Sequence, residues 1–352
     1  MLRAWATALV LAAAAPFVPN DPGFELNRGS LEAMRVPLAW ALTQGDPAVV
    51  IAVIDSGVAQ DPDLALMRGD TTDDDGHGTA MAAIAAARID NGIGTAGICG
   101  RCRVLPIAVD PSTRDVSAAV TLAVDRGADL IAVTGTGRYS GAFDAVTNAL
   151  NHGVQVFLPA GNDGSDDSNA NRLASSNPRA VRVGSFELDA NHGNWIDIAA
   201  ETSFTTLGPR PDTRGTRSAT AAAAGIAGLM LSCNPSLLPG EVKRILMSTS
   251  TLRGIDVVAN GEVDAYAAVK AAGCRATAPS IVRLVVSTRG RGTVTRRPDD
   301  DTYIAGTRVV LRAKPAGGWR FARWNGVCRG QRATCSVRLT ESGMTTAVFK
   351  RR

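Results

Sequence analysis

The chain has 352 residues, of which 45% are hydrophobic and 20% charged, with a net charge of +4 and six cysteines. That balance excludes a disordered chain, and the length supports one large core with a smaller companion. The charge is uneven: residues 281–352 carry sixteen Lys or Arg against four Asp or Glu, so the preceding residues are net acidic.

The opening stretch, "MLRAWATALVLAAAAPF", has a lone arginine, an apolar run and an Ala-rich end. This is the layout of a secretory signal, read here as residues 1–15 with cleavage near Ala14 or Ala15. The run falls short of the ~20 apolar residues that span a bilayer. A secreted, periplasmic or cell-surface location follows. In such a compartment the cysteines read as the local disulfides Cys99–Cys102, Cys233–Cys274 and Cys328–Cys335. A zinc site at Cys99 and Cys102 lacks a second pair, and His77, His152 and His192 are scattered, so no metal is assigned.

Between residues 47 and 280 short apolar runs, "AVVIAVID", "RVLPIAV", "ADLIAVTG", "VQVFLPAG" and "AVRVGSF", alternate with helical stretches such as "GTAMAAIAAARI" and "VSAAVTLAVDRG". Nearly continuous apolar strands are buried on both faces, which predicts an α/β fold: a parallel sheet with helices on both sides and its chemistry at the carboxyl ends of the strands. "ATAPS", residues 276–280, reads as a linker.

From residue 281 the texture turns to short alternating segments, "IVRLVVS", "GTVTR", "TRVVLRA", "WRFARW", "CSVRL" and "MTTAVF", which predict a small all-β domain over 281–352. Trp319, Phe321 and Trp324 alternate with Arg320 and Arg323 as core and solvent positions do. The basic residues suit an anionic partner, a cell-surface polymer, nucleic acid or a membrane surface; the competing reading is the wet face of a half-exposed sheet. Through "GRGTVT", "AGTRVVLRAKPAGGWRFARWNGVC" and "TAVF" the segment resembles small bacterial repeat domains at the ends of secreted proteins.

Three stretches of the body carry chemistry. Asp55 ends the buried run of "VVIAVIDSGV", where a carboxylate is placed to orient an imidazole; His77 opens a helix between Gly76 and Gly78; Asn162 follows a strand in "VFLPAGNDG", where an amide can donate to a developing oxyanion. Asp, then His, then a serine at the head of a helix is a known order of the serine-protease triad. With "DPDL", "GHGT", "VGSF" and "NPSLLPGEVKRIL", the stretch from about Val18 to Gly273 resembles the subtilases, the subtilisin-like serine peptidases of family S8, giving a domain over 16–275.

That resemblance implies a subtilisin-like fold and a serine endopeptidase acting on polypeptides as a monomer. Asp55 would orient His77, His77 would act as base and then acid, Ser218 would attack, and Asn162 would polarise the oxyanion. Thr134, Gly135, Thr136 and Gly137 would pair with substrate, with Leu158 to Gly161 across the specificity pocket. The family's folded prosegment has no room between the signal and "VPNDPGF". Relatives bind calcium, but the acidic loop "RGDTTDDDG" lacks EF-hand spacing and reads as a solvated loop leading to His77, so no cofactor is assigned.

The pattern breaks at the nucleophile. The family's Gly-Thr-Ser is followed, eight positions after the serine, by a helical glycine; counting back from Gly225 lands on Arg217, preceded by Gly215 and Thr216. A one-residue shift brings in Ser218, at the cost of about 100° of helix rotation. Two readings stand: an active endopeptidase using Ser218, or a pseudopeptidase with Arg217 in the serine's place, serving as a peptide-binding or scaffold protein.

Overall fold

The computed structural model describes residues 15–109, 115–135, 142–206, 212–252, 258–275, 281–304, 307–339 and 341–352. Residues 1–14 of the stretch read as a signal, residues 276–280 read as a linker, and Thr136 and Gly137 lie outside the described residues. The chain divides into two compact units, Met1–Arg275 and Ala276–Arg352.

The first unit opens with two helices that the strand and helix alternation does not announce, α1 (Phe24–Ala33) and α2 (Val36–Trp40). Buried Phe24, Leu31 and Trp40 seat them, and Trp40 Nε1 donates to the Ile98 carbonyl at 2.7 Å. There follow β1 (Val50–Asp55), α3 (His77–Ala86), β2 (Arg103–Ala108), α4 (Val116–Asp125), β3 (Leu130–Val133), α5 (Ala142–Asn151), β4 (Gln155–Pro159), α6 (Arg172–Ser176), β5 (Val181–Gly184) and β6 (Ile198–Ala199). A two-stranded ribbon, β7 (Phe204–Thr205) with β8 (Asp212–Thr213), precedes α7 (Thr216–Cys233), α8 (Pro239–Thr249) and α9 (Ala265–Ala271).

Strands β1 to β6 form one parallel sheet in the order β2-β1-β3-β4-β5-β6. Every residue of β1 is buried because both pleat faces meet helices. Val50, Ala52 and Ile54 join the cluster holding the α4 and α5 side chains, while Ile51 and Val53 join that of α3 and α7. The chain goes from β1 outward to β2, then returns to lay β3 on the other side of β1. That reversal opens a crevice at the carboxyl ends of β1 and β3, the place where such sheets bind ligands.

Helix α7, 18 residues long, runs through the centre. Its Ala and Gly content lets neighbours come close: a methyl on Gly225 would sit 2.8 Å from the Ala85 carbonyl oxygen and 2.9 Å from Ile98 Cβ, and one on Gly228 3.0 Å from Cys99 Sγ. Two disulfides brace this unit. Cys99–Cys102 closes the turn before β2, and Cys233–Cys274 joins the end of α7 to the segment after α9. Asp197, almost fully buried, accepts from Arg182 Nη2 and Lys243 Nζ, each at 2.7 Å, and so ties β5 to α8. Burial holds the Lys243 ammonium below its ordinary pKa against the pull of Asp197.

The second unit is all-β: β9 (Ile281–Arg289), β10 (Gly292–Arg297), β11 (Thr302–Ile304), β12 (Arg308–Pro315), β13 (Trp319–Gly326), β14 (Thr334–Arg338) and β15 (Gly343–Arg351). They make a three-stranded sheet, β10-β12-β14, and a four-stranded one, β11-β9-β15-β13, around Leu284, Leu311, Trp324 and Phe349. Cys328–Cys335 is the third disulfide. The strict alternation read for the aromatics fails at one point. Phe321 and Trp324, three residues apart, both turn inward, with ring centroids 5.4 Å apart, because a bulge between Phe321 and Arg323 resets the pleat. Among the described residues no helix is long and apolar enough to cross a membrane.

Candidate active site

Asp55 closes β1 at the mouth of the crevice and is 3% exposed. Its Oδ1 accepts the Ser56 backbone N–H at 2.8 Å, and His77 Nδ1 lies 2.8 and 2.9 Å from the two carboxylate oxygens. A carboxylate can only accept, so Nδ1 carries a proton and Nε2 faces away from Asp55. The end of β3 presses on the same spot: a methyl on Gly135 would lie 2.8 Å from Asp55 Cα, and the Thr134 and Gly135 N–H groups both donate to the Ile54 carbonyl.

His77 is held by more than Asp55. Gly76, at φ +73°, turns the chain into α3 in the left-handed region that glycine enters without strain. Asp73 Oδ1 accepts from Gly76 N–H and Ser56 Oγ, its Oδ2 accepts from Thr79 N–H and Oγ1, and Asp75 Oδ1 accepts the His77 N–H at 2.9 Å. The acidic loop, read from sequence as merely solvated, is therefore the brace of the α3 N-terminus, with Asp73 satisfying donors that a helix leaves open. Sequence reasoning missed Asp73, Asp75 and Ser56, although an aspartate just before a helix is a capping signal. Among the described residues no group of three or more His, Cys, Asp and Glu is placed to hold a metal ion.

Across the crevice, Asn162 is exposed in the turn after β4, and its Oδ1 accepts the Thr216 N–H at 3.1 Å. The Gly161 N–H in turn donates to Thr216 Oγ1 at 3.1 Å. Gly215, at φ +86°, permits this approach, since a methyl there would be 2.7 Å from Asn162 Nδ2. The turn itself is tied by fully buried Asn191, which donates to the Ala160 carbonyl and accepts from the Asp163 and Ser165 N–H groups. Nothing local in the sequence marks Asn191 for this, because its partners are about thirty residues away.

The head of α7 separates the two remaining candidates. Arg217, second residue of the helix, is half-buried and has no hydrogen bond or ion pair among the described residues. Ser218 is fully buried, and its Oγ has no hydrogen-bond partner, His77 included. Thr134 is likewise closed off from solvent, with an unpartnered Oγ1. The structure thus joins Asp55 to His77 and Asn162 to the α7 N-terminus, and leaves Ser218 out of both groups.

The profile of the subtilase family matches residues 46–273, and that of the divergent InlB B-repeat domain matches residues 282–352. Thermitase of Thermoactinomyces vulgaris is 32% identical over 284 residues, spanning 72% of this chain and 100% of that protein. The cell wall-associated protease of Bacillus subtilis is 31% identical over 248 residues, 62% of this chain but 27% of the relative. Among solved structures, a protease from Pseudoalteromonas arctica aligns with a TM-score of 0.64 at 26% identity, covering 72% of this chain and 99% of its own. With a subtilisin-like sheet, an Asp–His pair at its switch point and a family match across most of the first unit, the chain belongs to the subtilase family of serine peptidases.

Proposed function

We propose that this chain is an exported pseudopeptidase: a subtilase fold that receives extended polypeptide in its crevice without cleaving it. One observation carries the reading. Ser218, the serine next to the family's nucleophile position, is sealed from solvent and unpartnered, while Arg217 beside it is half-buried.

Hydrolysis by the triad requires a hydroxyl hydrogen-bonded to the imidazole that takes its proton. For Ser218 to reach His77, α7 would have to turn by about 100° and carry Gly225 away from Ala85 and Ile98. Arginine offers no substitute: it has no lone pair to attack with and keeps its charge. Its cation sits at a helix N-terminus, which favours anions. In this reading Asp55 and His77 keep the crevice in shape, and Asn162, whose Oδ1 is engaged by Thr216, offers Nδ2 to a bound peptide carbonyl. Export rests on the opening apolar run and the three disulfides.

The intact Asp55–His77 pair favours the rival reading, an active endopeptidase using Ser218. A fluorophosphonate probe on the purified mature chain distinguishes the two. The pseudopeptidase reading expects no labelling, no effect of Ser218→Ala, and new labelling in Arg217→Ser that His77→Ala abolishes. Labelling of the unaltered chain that disappears in Ser218→Ala would establish the peptidase instead. N-terminal sequencing of the extracellular protein tests export, with Ala14 or Ala15 as the last residue removed.

A further inference from the structure

The three-stranded sheet of the second unit buries one face and leaves the other to water. Val294, Val309, Leu311 and Val337 turn toward the core. By alternation their neighbours form the outer face, and among the residues whose side chains the structure describes the cations there are Arg297, Arg312 and Lys314, all exposed. The antiparallel register sets Lys314 beside Thr293 and places Arg312 between Thr295 and Thr334. Two rows across the sheet therefore join a cation to one or two hydroxyls, while Arg297 lies opposite Val310. Positions two apart on a strand are about 7 Å apart and neighbouring strands about 4.8 Å, so the three cations fall within one small patch.

None of these three cations has a hydrogen bond or ion pair among the described residues. Two of the nearby acids are engaged elsewhere: Asp299 and Asp301 each bond Arg296 at 2.8 Å, and Arg296 belongs to the inward parity of β10. A face of exposed positive charge without internal partners calls for an anion.

We infer that the outer face of β10-β12-β14 docks a linear anionic polysaccharide. Charge complementarity supplies the attraction, and arginine forks donate paired N–H bonds to the oxygens of a sulfate or carboxylate group. The interleaved threonines suit sugar hydroxyls, which both donate and accept. Two absences from this face decide against other polyanions. It presents no aromatic ring, since Trp319, Phe321, Trp324 and Phe349 all pack with the core, and single-stranded nucleic acid binds on aromatic stacking platforms. Its one apolar residue is Val310, 39% exposed, too little to insert into a membrane surface.

The test uses the full mature chain and fluorescein-labelled heparin, read by anisotropy from low to physiological ionic strength. Binding should weaken as salt rises. The triple variant Arg297→Gln, Arg312→Gln, Lys314→Gln should weaken it by about tenfold, as loss of three exposed ion contacts implies. A control triple on the other sheet, Arg289→Gln, Arg320→Gln, Lys350→Gln, removes equal charge and should change binding by less than about twofold. Both triples should melt like the parent, because all six side chains are exposed. Equal loss in the two triples would reduce the effect to net charge and overturn the assignment. So would absence of heparin binding, or tighter binding of an oligo(dT) strand or of anionic phospholipid vesicles than of heparin.

Discussion

Substituting Gly225 with alanine tests the contact that fixes the rotation of α7. The added methyl would lie 2.8 Å from the Ala85 carbonyl oxygen, 2.9 Å from Ile98 Cβ and 3.2 Å from Ile98 Cγ2. Backbone and β-carbon cannot swing aside as the end of a long side chain can, so α7 and α3 must separate. Overpacking of this kind costs about 1–3 kcal/mol, while glycine to alanine inside a helix gains up to about 1 kcal/mol. The net expectation is a loss of about 1–2 kcal/mol, or about 2–8 °C in Tm for a unit of this size. Gly29 in α1 is the internal control, because a methyl there meets nothing within 4 Å. Gly29→Ala should therefore stabilise by about 0.5–1 kcal/mol, raising Tm by about 1–4 °C. Calorimetry of the two variants beside the parent reads both signs. If Gly225→Ala proved as benign as Gly29→Ala, α7 would not be seated on α3, and the argument that keeps Ser218 from His77 would lose its anchor.

Other consequences follow from the same contacts. Asp197→Asn should cost about 3 kcal/mol or more by urea denaturation, because it leaves the largely buried Arg182 and Lys243 cations without their carboxylate; adding Lys243→Met should recover part of the loss, and full additivity would show the three are not coupled. Removing the Cys233–Cys274 bridge, with its sequence separation of 41, should cost about 4 kcal/mol and removing Cys99–Cys102, with a separation of 3, about 2 kcal/mol; the reverse order would refute the loop-closure account. Burial, aided by Asp21 and Asp61, pushes the Asp63 carboxyl up to about 6, above its unfolded value of about 3.9. The folded chain then binds the extra proton, so this group's contribution to stability declines as pH rises from about 4 to about 6. Asp63→Asn should flatten that part of the urea midpoint profile, and an unchanged slope would remove Asp63 as its source.

Much of the architecture is legible in one dimension because its causes are local. A strand buried on both faces must be apolar throughout, which is why "AVVIAVID" announces β1 and places Asp55 at its end. Asp55, His77 and Asn162 stand out because glycines flank or turn the chain around them, and the cysteines because each pair is near in sequence or closes one domain. Other features depend on partners far along the chain. Helices α1 and α2 are fixed by contacts such as that of Trp40 with Ile98, and the crevice turn by Asn191, neither of which leaves a periodic trace. The bulge at Phe321 breaks the alternation from which strand faces are read, so only the paired strand β15 reveals which way Trp324 turns. The α7 nucleophile position is the sharpest case. Composition allows Arg217 or Ser218 to head the helix, since a loop can absorb one residue easily. The close approach of Gly225 to Ala85 and Ile98 sets the rotational phase of α7, with Ser218 buried and Arg217 half-buried at its head, because packed backbones do not rotate past one another without a clash.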